Sequence, residues 1–248
     1  WQLARCLLVQ KVRRCHSRTL KKYANKYIMV NLGEIFPNFS AKTSEGNISD
    51  FHEWLGKSWG ILFSHPADYT PVCTTELARV VTLLPEFKKR DVKLIALSCD
   101  SVENHIGWGK DVLEYAKCTF DKLPYPIIED SGRELAVKFG MLDPDERNKE
   151  GLPLTARAVF IIGTDKKLKL SILYPATTGR NFNEILRVID SLQLTATQKV
   201  ATPADWQQGG KCMVLPNLSN EEAKKLFPHM ETHKLPSGKE YLRLTPQP

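Results

Sequence analysis

The chain has 248 residues, 42% hydrophobic and 25% charged, enough to bury one full core plus an appendage. No apolar run approaches the roughly 20 residues of a membrane-spanning helix, and no internal repeats or low-complexity tracts occur. The formal charge of +7 belongs to residues 1–28, which hold eight Lys or Arg and no acid; the rest has 27 basic against 28 acidic residues, so the body gives no electrostatic case for nucleic acid.

Residues 1–28 have the composition of a mitochondrial transit peptide: Leu3, Leu7 and Leu8 among arginines, without acids. Met29, just ahead of Val30-Asn31-Leu32-Gly33, supports a different reading, in which 1–28 is upstream sequence and the protein is cytoplasmic. Beyond Gly33 the pattern alternates strands and helices. Asn47 to Phe51 reads as an early strand, and Trp59 to Ser64 as the first buried one. A Pro-bracketed loop, Pro66 to Tyr69, leads into a helix predicted to start at Thr70, with Pro71 at its first position and Leu77, Val80, Val81 and Leu84 at helical spacing. Pro85 lacks an N–H and predicts a break there. Val92 to Ser98 is a strand, Val102 to Ala116 a helix capped by Ser101, Tyr125 to Ile128 a short strand, and Arg133 to Gly140 a short helix. Ala158 to Ile162 and Leu168 to Leu173 form a hairpin around Gly163 to Lys167. Asn181 to Leu194 is an amphipathic helix with Ile185, Leu186, Ile189 and Leu192 on one face. After Thr202-Pro203 the character changes to a small tail. It has a turn at Gly209-Gly210, a strand near Met213 to Leu215, a helix opened by the capping box Ser219-x-x-Glu222, and a last strand near Tyr241 to Leu244. The order implies a mixed sheet covered by helices, with an appended α+β piece.

The six cysteines (Cys6, Cys15, Cys73, Cys99, Cys118, Cys212) contain no C-x-x-C pair, which argues against zinc, a dithiol motif and a disulfide scaffold, and fits a reducing compartment. Cys73 is placed unlike the others. It falls in the first turn of a predicted helix, where unpaired N–H groups and the helix dipole favour a thiolate. The competing reading is an inert, buried apolar cysteine. Thr70, one turn earlier, serves as N-cap or as a hydroxyl for the sulfur or an incoming oxygen. A cation near the sulfur is also required, and the sequence offers Arg79, Arg133, Arg157 and Arg180 without choosing among them.

Thr70-Pro71-Val72-Cys73-Thr74-Thr75-Glu76 resembles the peroxidatic signature of the peroxiredoxins. Trp59-Gly60-Ile61-Leu62-Phe63-Ser64-His65-Pro66 and Leu173-Tyr174-Pro175-Ala176-Thr177-Thr178-Gly179-Arg180-Asn181 are similar to its one-cysteine subfamily, and the resemblance runs from about Asn31 to Pro248. It implies a thioredoxin-like fold, with a peroxidase domain over 31–196 and a small C-terminal dimerisation domain over 197–248. It further implies reduction of hydrogen peroxide, alkyl and phospholipid hydroperoxides at Cys73, with Arg157 as the active-site arginine and His65 as the active-site histidine. The tail holds only Cys212, six residues after Trp206, which is not the arrangement of a resolving cysteine. Cys99, Cys118 and Cys212 are therefore read as structural. No cofactor is expected, and the resemblance implies an external thiol, glutathione delivered with a glutathione transferase, as reductant. It also implies a homodimer.

A second site is suggested by Gly56-Lys57-Ser58-Trp59-Gly60, which fits G-x-S-x-G although Ser58 precedes its strand and a hydrolase elbow would have it follow. The subfamily is credited with a phospholipase activity, and the resemblance maps its Ser, His and Asp onto Ser58, His52 and Asp165 at a phospholipid surface. A lipid-handling hydrolase and a non-catalytic thioredoxin-like chaperone are thus the alternatives to a thiol peroxidase.

Overall fold

The computed structural model describes residues 30–248, so the leader lies outside the described residues. The chain divides into two units, up to Arg180 and from Asn181 onward.

In the first unit, β1 (Ala41–Thr43) and β2 (Gly46–Ile48) form a hairpin, followed by α1 (Phe51–Leu55), β3 (Trp59–Ser64), α2 (Pro71–Thr82), α3 (Leu84–Lys89), β4 (Val92–Ser98) and α4 (Val102–Tyr115). Then come β5 (Ile127–Glu129), α5 (Glu134–Lys138), a separate hairpin of β6 (Leu142–Arg147) and β7 (Pro153–Thr155), and the hairpin of β8 (Arg157–Ile162) and β9 (Leu168–Tyr174). Seven strands make one sheet in the order β2-β1-β5-β4-β3-β8-β9. The pairs β3/β4 and β4/β5 are parallel and the rest antiparallel, so the sheet is mixed, as expected.

All six residues of β3 and of β8 are buried, because helices cover both faces of the sheet. On one face Leu62, Ile95, Leu97, Ile128 and Phe160 pack with Phe36, Phe51, Leu55 and Phe139. Phe63 and Tyr125 lie on the other face, where the Tyr125 hydroxyl donates to Leu77 O in α2 at 3.0 Å. The break at Pro85 occurs as predicted: α2 ends at Thr82 and α3 restarts at Leu84.

Two expectations change. The predicted strand Asn47 to Phe51 is a strand only to Ile48, and Phe51 opens α1. The cause is Asp50, which caps the helix by accepting the Glu53 N–H at 2.8 Å. The β6/β7 hairpin was not anticipated; its charged run Asp143 to Glu150 shows neither apolar period.

The second unit contains α6 (Phe182–Thr197), β10 (Val200–Ala201), β11 (Cys212–Val214), α7 (Asn220–Leu226), β12 (Glu231–Thr232) and β13 (Arg243–Thr245). Its four-stranded antiparallel sheet, β10-β11-β13-β12, holds a small core of Val200, Trp206, Cys212, Val214, Ala223 and Phe227. The predicted capping box at Ser219 is complete. The boundary of this unit puts α6 with the tail, whereas the sequence reading placed it with the larger domain.

Candidate active site

Strand β3 delivers the chain to the site. Ser64 at its end is fully buried, donates to Ala156 O at 2.6 Å and accepts the Ala158 N–H at 3.0 Å, which ties β3 to β8 where the loop begins. Thr155 donates its hydroxyl to His65 O at 2.6 Å. The chain then turns through Pro66 to Tyr69, with Tyr69 in a left-handed conformation (φ 55°), and enters α2 from an extended Thr70. The first intrahelical bond runs from Thr74 N to Thr70 O, so Cys73 stands at the third helical position as expected.

Cys73 is fully buried, and Arg157 Nη1 donates to its Sγ at 3.4 Å. Arg157 starts β8 and cannot swing away. Its Nε and Nη2 both donate to Ala176 O, at 2.9 and 2.6 Å, and Nη1 also reaches Glu76 Oε2 at 2.8 Å. Glu76, one turn beyond Cys73, takes a second arginine: Arg180 donates to it from its backbone N–H (2.7 Å), Nε (3.0 Å) and Nη2 (2.7 Å). Arg180 Nη1 goes to Ala158 O at 2.8 Å, and its guanidinium lies 5.5 Å from the centre of the Phe63 ring. Burial alone would raise the Glu76 carboxyl, but the charge and hydrogen bonds of Arg180, with the charge of Arg157, hold it below its ordinary range. Two guanidinium groups on one carboxylate leave one net positive charge beside the sulfur, in a site without bulk water to screen it.

Of the four arginines the sequence left open, Arg157 is the one on the sulfur. Arg180 is in the site too, one residue removed, through Glu76. Arg79 is exposed, and Arg133 donates to Pro153 O and Ser131 O. Glu76 stands three residues after Cys73, a spacing within the motif that puts both on one face of the helix and marks it as a site residue.

Thr70 occupies the N-cap position, but its side chain makes no cap bond; its hydroxyl donates to Ala67 O at 2.8 Å. The expected hydrogen bond from Thr70 to the sulfur is not formed, because that proton closes the loop instead. His65 is buried beside the loop, with Nε2 on Asp68 Oδ1 at 2.8 Å and Nδ1 without a partner among the described residues. It therefore bonds Asp68 and not Cys73. Asp68 and Asp100 are the other acids here: Asp100 Oδ2 accepts the Asp68 N–H (2.9 Å) and the Ser98 hydroxyl (2.8 Å). His65, Asp68 and Asp100 bring one donor atom each within 4.8 Å of one another. Those atoms already serve one another and Ser98 as hydrogen-bond partners, so we describe them as a hydrogen-bonded network and not as a metal centre.

The candidate triad is not assembled. Ser58 donates to Asp91 Oδ1 at 2.8 Å, His52 Nε2 donates to Phe36 O at 2.7 Å, and exposed Asp165 accepts from Lys169 Nζ at 2.7 Å and from Lys167 N at 3.2 Å. A His that donates from Nε2 to a carbonyl cannot take a serine proton at that nitrogen, and no Asp–His–Ser relay results.

Among the described residues all four cysteines are free thiols. Burial pushes Cys99 up to about 12 against the opposing charge of Arg133, and burial also raises Cys212. Cys118 is half-buried with its thiol on Ala116 O at 3.5 Å.

A thiol at a helix N-terminus of a thioredoxin-like sheet, facing an arginine fixed by a glutamate, defines a thiol-dependent peroxidase. Residues 32–171 match the AhpC/TSA family and residues 191–228 the C-terminal domain of 1-Cys peroxiredoxin. The chain is 67% identical to peroxiredoxin-6 of Gallus gallus and 64% identical to that of Homo sapiens, each over 219 residues, 88% of this chain and 97% of the relative. A crystal structure of a mutant peroxiredoxin 6 from Arenicola marina superposes with a TM-score of 0.87 at 67% identity, covering 88% of this chain and 99% of that one. A yeast mitochondrial 1-Cys peroxiredoxin, whose thiol is resolved via glutathione/thioredoxin systems, matches with a TM-score of 0.79 at 44% identity, covering 88% of this chain and all of the other. The chain belongs to the AhpC/TSA family, in its one-cysteine, peroxiredoxin-6 branch. It is a thiol peroxidase, its substrates are peroxides, and it uses thiol reductants without a prosthetic group.

Proposed function

We propose that Cys73 is the peroxidatic nucleophile, and the observation that carries this is the Arg157 guanidinium on its buried sulfur. The Cys73 thiolate attacks one peroxide oxygen, an S–O bond forms as the O–O bond breaks, and the leaving oxygen departs as hydroxide or alkoxide and takes up a proton. Arg157 stabilises the charge that moves from sulfur to oxygen, and Glu76 with Arg180 keeps Arg157 in place. Thr70 turns its hydroxyl from Ala67 O to the bound peroxide; its position on the turn before Cys73 supports this. His65 supports the loop through Asp68.

The resulting sulfenic acid is reduced by two external thiols. The first releases water and leaves a mixed disulfide on Cys73, and the second displaces it as a free disulfide. We assign glutathione as that thiol, supported by the yeast relative's glutathione/thioredoxin systems, with a glutathione transferase as its source, as the resemblance to the one-cysteine subfamily implies. The protein acts as a homodimer on hydrogen peroxide, alkyl and phospholipid hydroperoxides in the cytoplasm; a reporter fused to residues 1–28 that enters mitochondria would move it there. Cys73→Ser should abolish peroxide consumption with dithiothreitol, while Ser at Cys99, Cys118 or Cys212 and Ala at Ser58 should retain most of it. Substantial turnover by Cys73→Ser would overturn the assignment.

A further inference from the structure

The loop that sets the start of α2 is held from outside by one helix, α4. His105 is fully buried and uses both ring nitrogens: Nδ1 lies 2.6 Å from Asp68 Oδ2, and Nε2 donates to Ile128 O in β5 at 3.2 Å. Asp68 Oδ1 takes His65, and the Asp68 N–H goes to Asp100, so Asp68 is the point where β3, α4 and the end of β4 meet the loop. Trp108, one turn along α4, packs its ring 5.1 Å from that of His65 and donates Nε1–H to the hydroxyl of Thr74, the residue after Cys73, at 3.1 Å. The same helix face therefore grips the chain on both sides of the thiol.

We propose that His105 is a positioning residue for peroxide reduction: by clamping the Asp68 carboxylate to β5 it fixes the Pro66–Thr70 loop, and thereby the angle at which the first turn of α2 presents Cys73 to Arg157. His105 touches neither the thiol nor the peroxide and acts through Asp68. The inference rests on the reading of Cys73 as nucleophile. Asp68 also supplies a readout that a packing role for His105 would not move. Burial alone would raise the Asp68 carboxyl, and the hydrogen bonds from His105 and His65, with their charge, hold it below its ordinary range. The groups facing it are His65, His105 and the Asp100 carboxylate; Glu103, on the first turn of α4, is exposed. With His105 removed, one of the two groups opposing burial is lost, and Asp68 should take up its proton at higher pH.

The test is the second-order rate of Cys73 oxidation by hydrogen peroxide, followed by stopped-flow tryptophan fluorescence from pH 5 to 8, with the Cys73 thiolate followed separately by its rate of alkylation by iodoacetamide. His105→Leu should slow oxidation by up to ~100-fold, the scale of a displacement near 1 Å at a reacting group. Its acid limb should move to higher pH beyond any shift in the alkylation profile. His105→Asn, which keeps an N–H donor toward Asp68, should recover most of the rate yet keep part of the shift. Asp68→Asn should be as slow as His105→Leu, and combining the two should cost little more. A wild-type rate and acid limb in His105→Leu, or additive losses in the double variant, would overturn the proposal. If His105→Leu does not fold, a wild-type acid limb in His105→Asn overturns it. Peroxide turnover that survives Cys73→Ser would instead sink the nucleophile assignment, whatever His105 does.

Discussion

Glu76 is the residue on which the site's electrostatics turn. It is buried, acidic and shared by two arginines, so removing its charge leaves two buried cations facing each other. We expect Glu76→Ala to lower stability by about 3–5 kcal/mol, the usual cost of breaking a buried ion pair. Glu76→Gln, which keeps the shape, tests the charge alone. A carboxyl depressed in the folded state contributes stability that is present above its unfolded value, about 4.3, and is lost as pH falls through the folded value. Wild-type thermal stability should thus fall below pH ~4.3 more steeply than that of Glu76→Gln. Parallel curves from pH 7 to 3 would show that Glu76 is not the linked group. At this scale the sequence revealed Cys73 directly, through its place after Thr70-Pro71, and Arg157 only through the family resemblance. Asp68 and His105 were not legible. Their pairing joins a loop to a helix 37 residues on, and a lone His or Asp carries no sign of its partner.

At the level of elements, local signals predicted α2, α4, α6, α7 and the hairpin of β8 and β9, because apolar period and cap residues agreed there. The start of α1 is the exception. Asp50 is a helix cap, and Phe51, Trp54 and Leu55 follow it at helical spacing, so cap and apolar period both mark a helix where the strand reading of Asn47 to Phe51 counted Phe51 as its end. Helix α4 also carries a glycine whose reason lies outside the helix. A Cβ at Gly107 would stand 2.5 Å from the hydroxyl of Tyr69, the left-handed loop residue before Thr70. Alanine in a helix interior is favoured over glycine by ~1 kcal/mol. Gly107→Ala should therefore leave thermal stability equal or higher while displacing Tyr69 and slowing Cys73 oxidation. Tyr69→Phe, which removes the obstructing oxygen, should restore the rate when combined with Gly107→Ala. If the double variant stays as slow as the single, the loop is not set by this contact.

On the scale of the whole molecule, the distribution of thiols decides how the catalytic cycle closes. Cys73 lies beside a cation in the first unit. Cys99, in the same unit, is pushed up to about 12 by burial, which leaves roughly one thiolate in 10⁵ at pH 7, and only the thiolate attacks a sulfenic acid. Cys212 is in the core of the second unit, its value raised by burial and its thiol directed at Gly210 O (3.7 Å). Among the described residues the remaining thiol, Cys118, is turned to Ala116 O at 3.5 Å, so we expect the rate of recovery to be set by thiol from solution. After one equivalent of peroxide, dimedone should label Cys73 in nearly every chain, and excess peroxide without thiol should drive it on to the sulfinic acid. Recovery of the active thiol should be proportional to added glutathione or dithiothreitol. A recovery rate independent of thiol, or a peptide map in which Cys73 is joined in good yield to Cys99 or Cys212 of the same chain, would mean that the fold carries its own resolving cysteine after all.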